Sequence, residues 1–174
     1  LGLGIFDLAL ALEETGKQVV MAPLAEAASA VWALSDTADP LSPAIAEAMH
    51  SKLIVPATSP DAQGYATASA IPGPRFDPRA LALSGSVSFV PFAGAADFFL
   101  VDANAGDATA LCLIPRVAKG LSIETTRNVD GSTSSTLSFD RVAVAADHVA
   151  AQGARAAAIA HKMQDLLVLG TAAE

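Results

Sequence analysis

The stretch "LSGSVSFVPFAGAADFFLV", residues 83–101, decides how the chain folds. Val87 and Phe89 alternate with Ser86 and Ser88, the period-two pattern of a half-buried strand. The strand runs on into Val90 and Pro91, where the backbone loses a donor and a ladder is expected to stop. A Gly-bearing turn follows, and "DFFLVDA" starts a second, more apolar strand. Two strands joined by a short loop in mid-chain predict a β-domain built around them.

Strand signals continue on both sides. Upstream, the pattern switches to period two at Lys52: "SKLIVPAT" and "YATASAI" read as strands around the loop "SPDAQG". Residues 72–79, "PGPRFDPR", read as a Pro-rich surface connection. Downstream come "ATALCLIP", "LSIETTR" and "TSSTLSFDRVAV", with Thr133, Ser135, Leu137 and Phe139 on one face of the last. Arg127 and Asp130 in "TTRNVDGS" read as a hairpin turn set by Asp-Gly. Asp97 and Asp102, at the ends of the apolar strand, read as solvating acids. Short strands at this spacing predict an antiparallel sandwich or barrel.

The flanks are helical. Ile5, Leu8 and Leu12 recur at helical spacing up to Gly16, with Glu13 and Glu14 on a solvated edge. Pro23 opens a second helix with Leu24, Ala28, Val31 and Leu34 on one side. Ser42 and Pro43 are an N-cap and first-turn pair for a third. After Asp147 the chain turns helical again, with Ile159, Met163, Leu166 and Leu167 on one stripe. The expected class is α+β: a helical segment over residues 1–50, a β-domain of about seven strands over 51–147, and the start of a helix bundle over 148–174.

Composition narrows the function. The 174 residues are 52% hydrophobic with only 5% aromatic, so packing relies on small and aliphatic side chains. The net charge of −8 repels phosphate backbones and argues against nucleic-acid binding. The longest uncharged run, Ala80–Ala96, holds two glycines and Pro91 and is not a membrane span. The single Cys112 lies in an apolar strand, which fits a reduced, cytoplasmic protein. The opening "LGLGIFD" has neither initiator Met nor signal pattern, as expected of part of something longer. Its GxG follows no strand and is not a dinucleotide fingerprint. His50, His148 and His161 are too scattered to ligate a metal, and no nucleophile-elbow motif supports a serine triad.

Three segments in order carry a resemblance: "PATSPDAQG", "LSGSVSFVPFAGAADFFLV" and "TTRNVDGSTSSTLSFDRVAV". Together they resemble the acyl-CoA dehydrogenase family, whose middle β-domain carries a TEPxAGSD-like loop, an LNGxKxWIT-like strand, an ADxFLV strand and a closing FDxVxVP stretch. The opening "LALALEETGKQVVMAPLAEAASA" is similar to that family's first helices. The resemblance implies an FAD-holding β-domain between helical domains, an acyl-CoA thioester substrate and oligomerisation through the helical domain. It assigns the cofactor to Val55, Ala57, Thr58, Phe89 and Pro91, and the thioester side to Gly64. The family's Thr-Glu-Pro becomes Thr58-Ser59-Pro60, its serine beside the flavin becomes Gly64, and its Trp-Ile-Thr becomes Phe89-Val90-Pro91. The family's glutamate base lies in the C-terminal helical domain and has no counterpart here, so no catalytic residue is assigned. Two functions stay open: a flavoenzyme that desaturates an acyl-CoA, and a non-catalytic homologue whose altered flavin site pairs with an active partner. A free-standing β-sandwich binding module is a third, from outside the family.

Overall fold

The computed structural model describes residues 5–17, 22–37, 41–58 and 73–173. Three helices open the chain, α1 (Ile5–Gly16), α2 (Leu24–Ser35) and α3 (Pro43–Ser51). Ser42 caps α3 as its sequence implies, accepting from Ile45 N at 3.2 Å, with Pro43 in the first turn. The same hydroxyl donates to Asp147 O at 2.6 Å and so ties α3 to the far end of the β-domain.

The strands are β1 (Ile54–Ala57), β2 (Arg75–Asp77), β3 (Ala82–Pro91), β4 (Phe98–Asn104), β5 (Thr109–Pro115), β6 (Leu121–Arg127), β7 (Thr133–Ala143) and β8 (Val149–Gln152). They form one sheet in the order β6-β7-β3-β2-β4-β5-β8, and β1 pairs with β4. Most pairings are antiparallel, as expected, but β1 runs parallel to β4 from Ile54↔Phe98 to Ala57↔Val101. Asp97 fixes that join: its carboxylate accepts from Leu53 N at 2.9 Å, and its own N–H donates to Leu53 O at 2.9 Å.

Three sequence readings change. "PGPRFDPR" contains β2, where only Phe76 is buried between exposed Arg75 and Asp77. Three residues between prolines are too short for a periodic signal. The chain after Asp147 forms β8 before the helix α4 (Gly153–Ala173) begins. On α2 the buried face is Ala25, Glu26, Ser29, Ala30, Ala33 and Leu34, while Leu24 is 38% exposed. The small residues face inward there because the helix lies close to its neighbours. The expected strand "YATASAI" falls in 59–72, outside the described residues.

Two cores sit on the two faces of β4 and β5. Phe99, Val101, Ala103, Cys112 and Ile114 point into the interior of the sheet with Val87, Leu137 and Phe139. Leu100, Leu111 and Leu113 point the other way, against Ala30, Leu34, Ile159 and Met163 of the helices. The stripe on α4 is therefore covered by α1, α2 and β5. Each fully buried Ile or Met side chain of this kind contributes about 1.5–3 kcal/mol. Gly170 permits the close approach: a Cβ there would lie 2.7 Å from Ala25 Cβ and 3.1 Å from Leu12 Cδ1.

Candidate functional site

β1 and β3 both flank the interior, and at their C-terminal ends a pocket of about 160 Å³ opens between them. It is lined by Pro56 and Thr58 after β1, by Ser88, Phe89, Val90 and Pro91 of β3, and by Leu167 of α4. Three of the residues assigned from the resemblance, Thr58, Phe89 and Pro91, thus meet at one place. Val55 and Ala57 do not reach it with their side chains. Both are fully buried in the interior core, and strand alternation turns Pro56 and Thr58 to the pocket instead. Ser59 and Gly64 lie outside the described residues.

A β-bulge shapes the β3 wall. Val87 opposes Leu137 and Val90 opposes Ser135, so three steps on β3 match two on β7. The expected alternation of Val87 with Phe89 breaks here. Val90 takes the inward position, 2% exposed, and Phe89 is turned outward, 78% exposed, at a φ of +62°. A bulky side chain in the left-handed region costs on the order of 1–3 kcal/mol and persists only where its surroundings impose it. Phe92 repeats the conformation at φ +51°. The turn beyond is held by Arg116, whose guanidinium donates to Ala93 O at 3.2 Å and to Gly94 O.

Pro91 does not end β3 before pairing; it is the last residue of the strand and opposes Ser134 of β7. It brings no N–H to that position. The hydroxyls near the pocket come from Thr58 and Ser88, and Ser88 Oγ accepts from Thr136 Oγ1 at 3.4 Å. The pocket wall thus presents one exposed aromatic ring, Phe89, and the two hydroxyls of Thr58 and Ser88. The enclosed volume is below the roughly 300–1,000 Å³ of sites that surround a whole ligand.

Sequence reasoning missed Pro56, Ser88, Val90 and Leu167 as wall residues. The period-two pattern through Thr58 was the available signal for Pro56; no local signal places Leu167 beside β3. Asp102 is a correction too: it is 8% exposed on the helix-facing side of β4, and Gln164 of α4 donates to it at 3.4 Å. The Asp130 turn holds as read, with the carboxylate accepting from Ser132 N at 2.9 Å and Ser132 Oγ at 2.7 Å. Among the described residues no three His, Cys, Asp or Glu side chains form a metal-binding group. No helix among them is long and apolar enough to cross a membrane.

This order of helices, pocketed β-domain and closing helix is the fold of the N-terminal helices and middle domain of acyl-CoA dehydrogenases, as the sequence resemblance implied. No family model matches the chain, and no curated protein sequence matches it. Among solved structures, the chain superposes on the ChsE4-ChsE5 complex from Mycobacterium tuberculosis with a TM-score of 0.80 at 18% identity, covering 99% of this chain and 46% of that one. The Tcur3481-Tcur3483 steroid ACAD G363A variant matches with a TM-score of 0.77 at 26% identity, over 99% and 46%. A glutaryl-CoA dehydrogenase from Mycobacterium smegmatis in complex with FADH2 matches with a TM-score of 0.72 at 18% identity, over 99% and 48%. The chain spans about half the length of these proteins.

Proposed function

We propose that this chain supplies the flavin-facing β-domain of an acyl-CoA dehydrogenase-like protein that desaturates an acyl-CoA thioester between its α and β carbons. The observation that carries the reading is the meeting of Thr58, Phe89 and Pro91 around one pocket, on a fold shared with a glutaryl-CoA dehydrogenase bound to FADH2. In this reading Phe89 offers its ring to one face of the flavin, and Thr58 and Ser88 offer hydroxyls to its polar rim. When bound, FAD supplies the hydride acceptor. The residues of this chain orient the ring and keep one side of it apolar. The two-faced packing of β4 and β5 disfavours the free-standing β-sandwich: Leu100, Leu111 and Leu113 are buried only because helices cover them.

A second reading rests on Pro91. It stands where the family places a threonine and brings neither hydroxyl nor N–H. One of the similar solved structures is the ChsE4-ChsE5 complex, an assembly of two different proteins. By analogy this chain would be the non-catalytic member of a mixed assembly, with its active partner holding the chemistry. Absorbance separates the two. Titrating FAD into the purified protein and removing unbound flavin leaves a yellow protein under the first reading. A colourless protein that quenches no flavin fluorescence overturns it and leaves the second.

A further inference from the structure

At the other end of β3 from Phe89, the outer face of the sheet carries a larger cleft of about 720 Å³. Strand register orders its lining. Asn104 of β4 pairs with Arg75 of β2, and Arg75 pairs with Ser84 of β3. Beyond β3 the register slips: Leu83 opposes Val142 but Gly85 opposes Phe139, so Asp140 and Arg141 share the space facing Ser84. Asn104, Arg75, Ser84 and Arg141 therefore form one polar row across four adjacent strands. All four line the cleft. Their strand neighbours Phe76, Leu83 and Val142 are buried in the interior, so the row stands on the outward face.

The row has features that a solvated surface does not require. Arg141 sits at φ +48°, a conformation suited to Gly, Asn or Asp, and the bulge that imposes it redirects the side chain. Among the described residues neither Arg75 nor Arg141 has a carboxylate oxygen within 4.0 Å, although the protein carries a net charge of −8. Of the acids nearest the row in sequence, Asp140 directly precedes Arg141, and Asp77 accepts from Ala80 N at 3.2 Å and Arg79 N at 2.9 Å in the β2–β3 turn; these bonds, with the charges of Arg79 and Arg141, hold its carboxyl below the usual range. Asp107, on the β4–β5 turn, is the other acid in the cleft wall.

We propose that this row binds the phosphate group of a small phosphorylated ligand, clamped between the guanidinium groups of Arg75 and Arg141, with Ser84 donating between them and Asn104 donating from the far side of Arg75. Adjacent strands lie about 4.8 Å apart, so the two arginine backbones are about 10 Å apart and their long side chains reach a common centre over Ser84. Four donors arranged this way exceed the two oxygens of a carboxylate and suit the three free oxygens of a phosphomonoester. The volume leaves room for the organic remainder. This site is separate from the flavin-facing pocket and does not depend on that reading.

The test is a titration of the 174-residue protein with inorganic phosphate, followed by amide chemical shifts. The expected result is saturable shifts at Arg75, Ser84 and Asn104, with Phe89 unmoved. Arg75→Gln and Arg141→Asn each weaken binding about tenfold or more, as loss of a charge-assisted hydrogen bond does. Asn suits the left-handed conformation at 141, so that variant retains the fold; if it does not, Arg75→Gln decides alone. Arg79→Gln removes the same charge from the same hairpin outside the cleft, and its affinity stays within about twofold. Absence of saturable shifts at Ser84, or an equal loss with Arg79→Gln, overturns the proposal.

Discussion

Val87 and Val90 of β3 are both buried in the sheet interior although three positions separate them. In an unbroken strand that spacing would put them on opposite faces. The extra residue of the bulge reconciles them and leaves Phe89 outside, strained and 78% exposed.

Because Phe89 buries little and holds a left-handed backbone, its replacement separates stability from binding. Phe89→Asn is expected to keep the thermal midpoint or raise it, since relief of the left-handed penalty is worth about 1–2 kcal/mol. The same variant takes up less FAD. Calorimetry and flavin fluorescence on one preparation read both, and a parallel fall in stability and uptake would mean the ring is structural.

Pro91 closes β3 opposite Ser134 without a donor. Pro91→Thr returns one N–H and one hydroxyl to the pocket wall. With net hydrogen bonds at about 0.5–1.5 kcal/mol each, each bond regained should raise FAD affinity roughly two- to tenfold. Equilibrium dialysis against FAD checks it; unchanged affinity would show that the proline does not limit binding.

The contact between Asp102 and Gln164 joins β4 to α4 inside the helix-facing core, with both residues buried. Gln164→Leu removes the amide donor from a buried carboxylate, and the expected cost is about 1–3 kcal/mol in urea unfolding. Gln164→Glu sets a second acid against the first and should cost more.

Burial alone pushes the Cys112 thiol up to about 12 from its ordinary 9.0. The folded state therefore holds its proton where the unfolded chain releases it. This contribution is complete below about pH 9 and declines as pH rises from there toward 12. A thiol reagent at pH 8 should leave the native protein unlabelled and label it fully in denaturant. Rapid native labelling would show that β5 opens easily.

Much of the architecture is readable locally. Ser42-Pro43 announces α3, Asp130-Gly131 announces the β6–β7 turn, and the stripe Ile159, Met163 and Leu166 announces the buried face of α4. These signals are legible because cap, turn and periodicity are short-range effects. β2 and β8 escape the same reading: three and four residues carry too little pattern, and their strand state comes from neighbours that supply hydrogen-bond partners. Asp102 escapes it because an acid at a strand end looks solvated until a helix from 62 residues away covers it.

The sequence by itself determined the class of fold and the order of its parts, since apolar periodicity, caps and Gly/Pro punctuation act within a few residues. It also singled out Thr58, Phe89 and Pro91, through motifs in a shared order. Only the tertiary structure decided which way those residues point. The parallel join of β1 to β4, the bulge that ejects Phe89 and the arrival of Leu167 from α4 each depend on pairing between distant segments, and pairing register is set by the whole sheet packing its two faces at once. The row Asn104, Arg75, Ser84 and Arg141 exists for the same reason: four residues scattered over 67 positions become neighbours only when four strands align.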